Sequence, residues 1–326
     1  MQPVQRFYLA TIACLATVQV SAQGILNLLV ENDVISGDDR HYTSGVALNY
    51  VSGLDQGPER LEALGIFLPG LERGDKMHVA LSLGHEIYTP TDITKPDLIS
   101  DDRPYAGHLY LGAGFITENS TEVETWRLSL GLVGPGARAE VIQNSLHRKI
   151  GSDEAQGWDN QLKNEVVLSL AYERKWLNLA REKIYDNGLS IDFIPHASAA
   201  IGTPTTYIGA GGMVRFGQGL DQDYGPPRVR PSLPVSQFYK PQTGASWYVF
   251  VGADTRYIAH NIFLDGNNFQ NSHSVEREDF VSDLQAGFVW NHKRFRLVYN
   301  WVLRSREFKE QAERDLFSSL SVSIHI

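Results

Sequence analysis

The chain has 326 residues, a formal net charge of −9 and a single cysteine. A net negative chain without long basic runs is a poor partner for a nucleic-acid backbone. One cysteine, Cys14, excludes a disulfide framework, and its place near the N-terminus leaves metal sites to oxygen and imidazole ligands.

Residues 1–22 read as a secretory signal peptide. Arg6 gives a positive start, Leu9 to Val20 a short apolar stretch, and Val20-Ser21-Ala22 a small-residue cleavage site. That stretch is too short to span a bilayer as a helix, and no later run is long and apolar enough either. Residues 23–326 carry a different signal: segments of about 8–14 residues alternate apolar and polar side chains between turn residues.

Twelve such segments follow in chain order. They are 24–32, 43–52, 76–88, 107–118 and 123–134, then 164–176, 189–201, 207–217, 246–258, 280–291, 294–305 and 317–326. Between the fifth and sixth, Gly134-Pro135-Gly136 breaks the strand, residues 137–150 read as helix, and Gly151 can stop it. The Gly- and Pro-rich stretch 218–245 reads as an irregular loop outside the barrel. Export, an even strand number and aromatics near strand ends, among them Trp126, Trp176, Trp247, Trp290 and Trp301, point to an all-β fold. The expectation is a twelve-stranded antiparallel transmembrane β-barrel with a short helical insertion in an external loop. Ile326 stands where such barrels commonly end on an aromatic residue.

Three polar clusters could carry chemistry. Glu31-Asn32-Asp33 ends the first segment, and residues 38–45, including Thr43, open the second. A hairpin brings these carboxylate, amide and hydroxyl oxygens together, a donor set that suits a hard cation, although acidic turns use the same residues. Gln143 and His147 are spaced i, i+4 on the helical insertion, with Asp153 and Glu154 just beyond it. Lys95 and Arg103 lie on the third-to-fourth connection, where cations could grip phosphate. No G-x-S-x-G elbow or H-E-x-x-H zinc motif is present.

Four motifs carry a family resemblance. E-N-D with D-D-R-H-Y-T-S-G (31–45), D-D-R-P-Y-A-G (101–107), G-P-G-A with Q-N-S-L-H-R-K-I-G (134–151) and G-W-D-N-Q-L-K-N-E (157–165) resemble the outer-membrane lipid A 3′-O-deacylase family. The resemblance implies a twelve-stranded barrel in the outer membrane of a Gram-negative bacterium. It implies calcium-dependent hydrolysis of the 3′-linked acyloxyacyl ester of lipid A in lipopolysaccharide. By the same resemblance His147 is the general base. Gln143, Asn32, Asp33 and Thr43 complete the catalytic set, and Asp33 with Asp153 or Glu154 are calcium ligands. Lys95, with Arg103, would bind substrate phosphate. Pro96 stands where a second basic residue is expected. The alternatives are an outer-membrane phospholipase-like esterase, which would use a serine, and a non-catalytic pore.

Overall fold

The structure, a computed structural model, describes residues 24–32, 41–57, 68, 77–177, 179–184, 188–226, 238–241 and 243–326. Thirteen strands form one antiparallel sheet. They are β1 (Gly24–Asn32), β2 (His41–Ser52), β3 (His78–Thr89), β4 (Ala106–Glu118), β5 (Glu122–Val133), β6 (Glu165–Trp176) and β7 (Ala180–Lys183). They continue with β8 (Leu189–Gly202), β9 (Thr205–Gln218), β10 (Ala245–Asn261), β11 (Phe280–His292), β12 (Phe295–Arg304) and β13 (Asp315–His325). Helix α1 (Ala139–Ile150) joins β5 to β6, and the one-turn α2 (Ile262–Asp265) follows β10.

Every strand pairs with its sequence neighbour, with one exception that reduces thirteen strands to twelve staves. β6 and β7 both pair with β8, at Ser169–Lys175 and at Ala180–Lys183, so they lie end to end as one interrupted stave. The sheet closes where β1 meets β13. Gly24 and Ile326 exchange backbone hydrogen bonds of 3.3 and 2.9 Å, so the non-aromatic terminus still completes the ladder. All twelve expected segments are strands, and the barrel is closed and antiparallel.

Side-chain parity sets inside and outside. On β1, Leu26, Leu28 and Val30 are exposed while Ile25, Asn27, Leu29 and Glu31 are buried. The exposed set around the wall is apolar: Val46, Leu48, Leu128, Leu130, Val166, Leu168, Val249, Val251 and Val322. Much of the buried set is polar, the reverse of a soluble domain and the pattern of a barrel that faces lipid. Inside, Arg256 and Arg304 share Asp283 at 2.8 Å each, Arg103 meets Glu307 at 3.2 Å and His196 meets Asp254 at 2.7 Å. In these pairs each buried charge is met by an opposite one, the condition on which a low-dielectric interior tolerates ions.

The described residues after β9, 219–226 and 238–241, correct the expectation of a loop outside the barrel; residues 227–237 of that stretch lie outside the described residues. Tyr224 and Tyr239 are buried in one cluster with Ile25, Val51, Ala80, Ile116 and Val123 from the ends of β1–β5. Asp223 takes Arg215 and Arg296 at 2.5 Å each, and the Tyr239 hydroxyl donates to the Arg294 carbonyl at 2.6 Å. Asp223, Tyr224 and Tyr239 therefore sit in the mouth of the barrel at the end that carries Gly24 and Ile326. The opposite rim carries α1.

Candidate active site at the α1 rim

Three glycines and a proline shape the insertion. Gly134, with φ +102°, turns the chain out of β5, and Pro135–Ala137 form a single 3-10 turn. Arg138, with φ +63°, separates that turn from α1, so the helix begins at Ala139 rather than at 137. Gly151, with φ +78°, caps the far end, where a left-handed residue is needed to stop the helix. Gly107 on β4 lets α1 sit close: a Cβ there would lie 2.5 Å from the Ala139 Cβ.

The insertion lies against the outer surface of the wall. Leu81, Leu83 and His85 face outward on β3, so Ile87 and Thr89 share that parity, yet both are buried. Ile87 packs with Ala139, Ala155, Trp158, Ile93 and Tyr105 in one cluster, and His85 Nε2 lies 2.9 Å from the Ala137 carbonyl. The insertion and the β3–β4 connection thus cover the lipid-side face of β3 and β4 at this rim.

Residues of the sequence motifs hold this cover in place. Asn144 both donates to the Ala155 carbonyl and accepts from its amide, at 3.0 and 2.8 Å, clamping the segment after α1 back onto the helix. Asn164 accepts from the Gly136 amide at 2.6 Å. Asp102 accepts from the amides of Thr91 and Arg103 at 2.7 Å each, folding the β3–β4 connection onto itself. Asn160 donates to the Pro96 carbonyl at 2.9 Å, so Pro96 belongs to this packing.

Within it, α1 turns Gln143 and His147 toward the wall, and both are buried. His147 Nδ1 lies 2.5 Å from the Asp153 backbone carbonyl. A carbonyl can only accept, so Nδ1 carries the proton and Nε2 the lone pair in the neutral ring. Gln143 accepts from the Trp158 indole at 3.0 Å, which fixes its amide, while its buried Nε2 finds no acceptor among the described residues.

On the adjoining strands, Asn32 follows inward-facing Glu31 and so faces outward, donating to the Thr43 carbonyl at 3.1 Å. Thr43 sits where the β2–β3 register slips between Tyr42 and Ser44, and its hydroxyl meets that of Thr89 at 2.7 Å. Gln143, His147, Asn32 and Thr43 thus share one rim on the lipid side of the wall. Asp33 lies outside the described residues.

Other expected residues are placed differently. Arg103 is a correction. Its side chain is 1 % exposed, pairs with Glu307 and lies over the inward-facing Tyr88 ring, 4.8 Å from its centroid. It ties the β3–β4 connection to the barrel interior and offers nothing to a phosphate outside. Lys95 remains exposed, with Asp92 at 3.4 Å. The Thr94 hydroxyl and amide, with Lys95, hold the Asp92 carboxyl below its usual range. Asp153 contributes its backbone carbonyl to His147, and the Glu154 carboxylate pairs with Arg148 at 2.6 Å on the surface. Among the described residues, no group of three or more His, Asp or Glu side chains could hold a metal ion.

Sequence reasoning missed Thr89, Trp158 and His41. His41, with φ +66°, joins three segments: Nδ1 meets Asp315 at 2.6 Å and Nε2 meets the Thr91 hydroxyl at 3.1 Å. Its position two residues before Thr43 was the one available signal.

Comparison with known proteins places this geometry. Among solved structures, LpxR from Salmonella typhimurium is similar in fold, with a TM-score of 0.72 over 93 % of this chain and 100 % of that one, at 20 % identity. The β domain of the Bordetella autotransporter BrkA is more distant, with a TM-score of 0.44 over 93 % and 98 % of the chains, at 9 % identity. No curated protein sequence matches the chain. The model of the family described as outer membrane protein LpxR matches residues 7–326. The chain, a closed β-barrel of the outer membrane, therefore belongs to the outer membrane protein LpxR family.

Proposed function

We propose that this barrel is a lipid A 3′-O-deacylase, hydrolysing the 3′-linked acyloxyacyl ester at its α1 rim. One observation carries the reading. A histidine with its Nδ1 proton fixed by a backbone carbonyl stands beside a glutamine whose buried amide nitrogen has no acceptor among the described residues, on the lipid side of the wall. An acyl ester of a membrane lipid reaches that face without leaving the bilayer.

In the proposed step, His147 Nε2 takes a proton from water as the water oxygen bonds to the ester carbon. The ester C–O bond then breaks, and the imidazolium returns the proton to the departing sugar oxygen. Gln143 orients water or the ester carbonyl, and Trp158 holds Gln143 in place. Lys95 meets a lipid phosphate.

Calcium belongs to the same proposal. The amide, carboxylate and hydroxyl oxygens of Asn32, Asp33 and Thr43 suit a hard cation and would hold it. When bound it supplies charge that polarises an ester carbonyl. Asp153 and Glu154 are the weaker ligands, since the Glu154 carboxylate is already committed to Arg148.

The test is acyl release from defined lipid A, followed by mass spectrometry with the purified barrel. His147→Ala is expected to lower the rate about 10²–10⁴-fold without changing the folded barrel. Wild-type rates in the variant would remove His147 from the mechanism. Chelation should abolish release and added calcium restore it; release that persists through chelation would remove the cation. Fatty acid released from phospholipid but not from lipid A would reassign the substrate.

A further inference from the structure

Helix α1 is inverted for a helix packed on a protein. Its buried positions are Ala139, Gln143 and His147. Its larger apolar side chains point away: Val141, Ile142, Leu146 and Ile150 are each 46–54 % exposed. At 100° per residue, Ile142, Leu146 and Ile150 form a stripe along one flank of the buried face, and Lys149 falls beside it. The other flank carries Glu140, Asn144 and Arg148, with Val141 the one large apolar side chain beside them. Solvent on both flanks would leave this stripe without a reason.

The wall supplies one. α1 lies outside the barrel, against β3 and β4, through the Gly107–Ala139 approach and the His85–Ala137 contact. The surface below is the lipid-facing wall, and the strands it joins end in outward Leu128, Leu130, Val166 and Leu168. The apolar stripe continues a surface that already meets acyl chains, at the height where headgroups begin.

We propose that α1 is an interfacial helix whose Ile142–Leu146–Ile150 flank is seated among the acyl chains of lipid A in the outer leaflet, with Lys149 at the phosphate level. Amphipathic helices of this kind lie in the interface plane, apolar edge down and cations at the headgroups. Membrane contact follows from the placement of α1; the choice of lipid A rests on the proposed function. The seat sets the site at the membrane boundary, with Gln143 and His147 between bilayer and wall.

The experiment labels single cysteines with an environment-sensitive dye in the full chain, after Cys14→Ser removes its only cysteine. Leu146→Cys and Ile150→Cys report the stripe, and Arg148→Cys reports the other flank. Each labelled barrel is reconstituted in phosphatidylcholine vesicles with and without lipid A, and doxyl-labelled lipid is added as quencher. A heat-dependent shift on a gel verifies that each variant is folded. Labels at 146 and 150 should be quenched at least about twofold more than at 148, and more strongly with lipid A present. Equal, weak quenching at all three positions would overturn the interfacial seat. Strong quenching at 146 and 150 that ignores lipid A would overturn the assignment to that lipid. No hydrolysis is read, so a barrel that seats the helix yet releases no acyl chain would overturn the deacylase reading alone.

Discussion

Gly107 shows how one missing side chain places the helix that carries His147, the proposed base. The helix carrying His147 approaches the wall at Ala139, where a side chain on residue 107 would collide with it. Gly107→Val should push α1 outward and reduce acyl release by about tenfold or more, since a displacement near 1 Å can cost about 10²-fold. The melting temperature of the barrel should change little, because the ladder is untouched; an active Gly107→Val variant would show that the close approach is dispensable. Glu307 makes a different point about charge. Burial pushes its carboxyl up, but Arg304, Arg103 and Arg256 outweigh burial and hold it below the usual range. A depressed pKa gives stabilisation that is present above the unfolded value of about 4.3 and is lost as pH falls through the folded value. Glu307→Gln should therefore be destabilised at pH 7 by about 3–5 kcal/mol, leaving Arg103 buried and unpaired. Its deficit against wild type should shrink below about pH 4 in thermal unfolding; a constant deficit across that window would separate Glu307 from the pH response.

Among the elements, the strands were readable because each keeps one apolar face against lipid, and period two survives in any linear pattern. The helix was readable from Gly134-Pro135-Gly136 and Gly151, within two residues at its start. The break between β6 and β7 was not, because the sequence there lacks a long alternation and the pairing of Ala180–Lys183 with β8 is set by the barrel. The direction of Arg103 was equally hidden. A cation in a connection can turn inward or outward, and Glu307, 204 residues away, decides it. For the same reason the tuck of Tyr224 and Tyr239 could not be seen: their partners are strand ends scattered along the chain. The Asn144 clamp was legible as a motif but not as a function. Its two hydrogen bonds to Ala155 hold the carbonyl of Asp153 against His147. Asn144→Ala should loosen residues 152–156 by about 1–3 kcal/mol. Limited proteolysis should then cut there first; an unchanged cleavage pattern would show the clamp to be redundant.

At the scale of the molecule, the barrel is a scaffold turned outward. Its interior carries many ion pairs, and Tyr224, Tyr239 and the Asp223 pairs occupy one mouth, an arrangement that narrows the lumen. In planar bilayers the wild type should pass little current, and a Tyr224→Ala, Tyr239→Ala double variant should pass clearly more; a large wild-type conductance would revive the pore reading. The seam between β1 and β13 has a consequence of another kind. Asn27 bonds to Ser321, 294 residues further on, and Gly24 to the last residue of the chain. β1 pairs locally with β2, but its second edge waits for a strand almost the whole sheet away in sequence. Until β13 meets β1, both ends of the sheet are open edges that any other strand could join. For this protein the hazardous period is the one before closure, and its survival depends on whatever shields two unpaired edges during that wait.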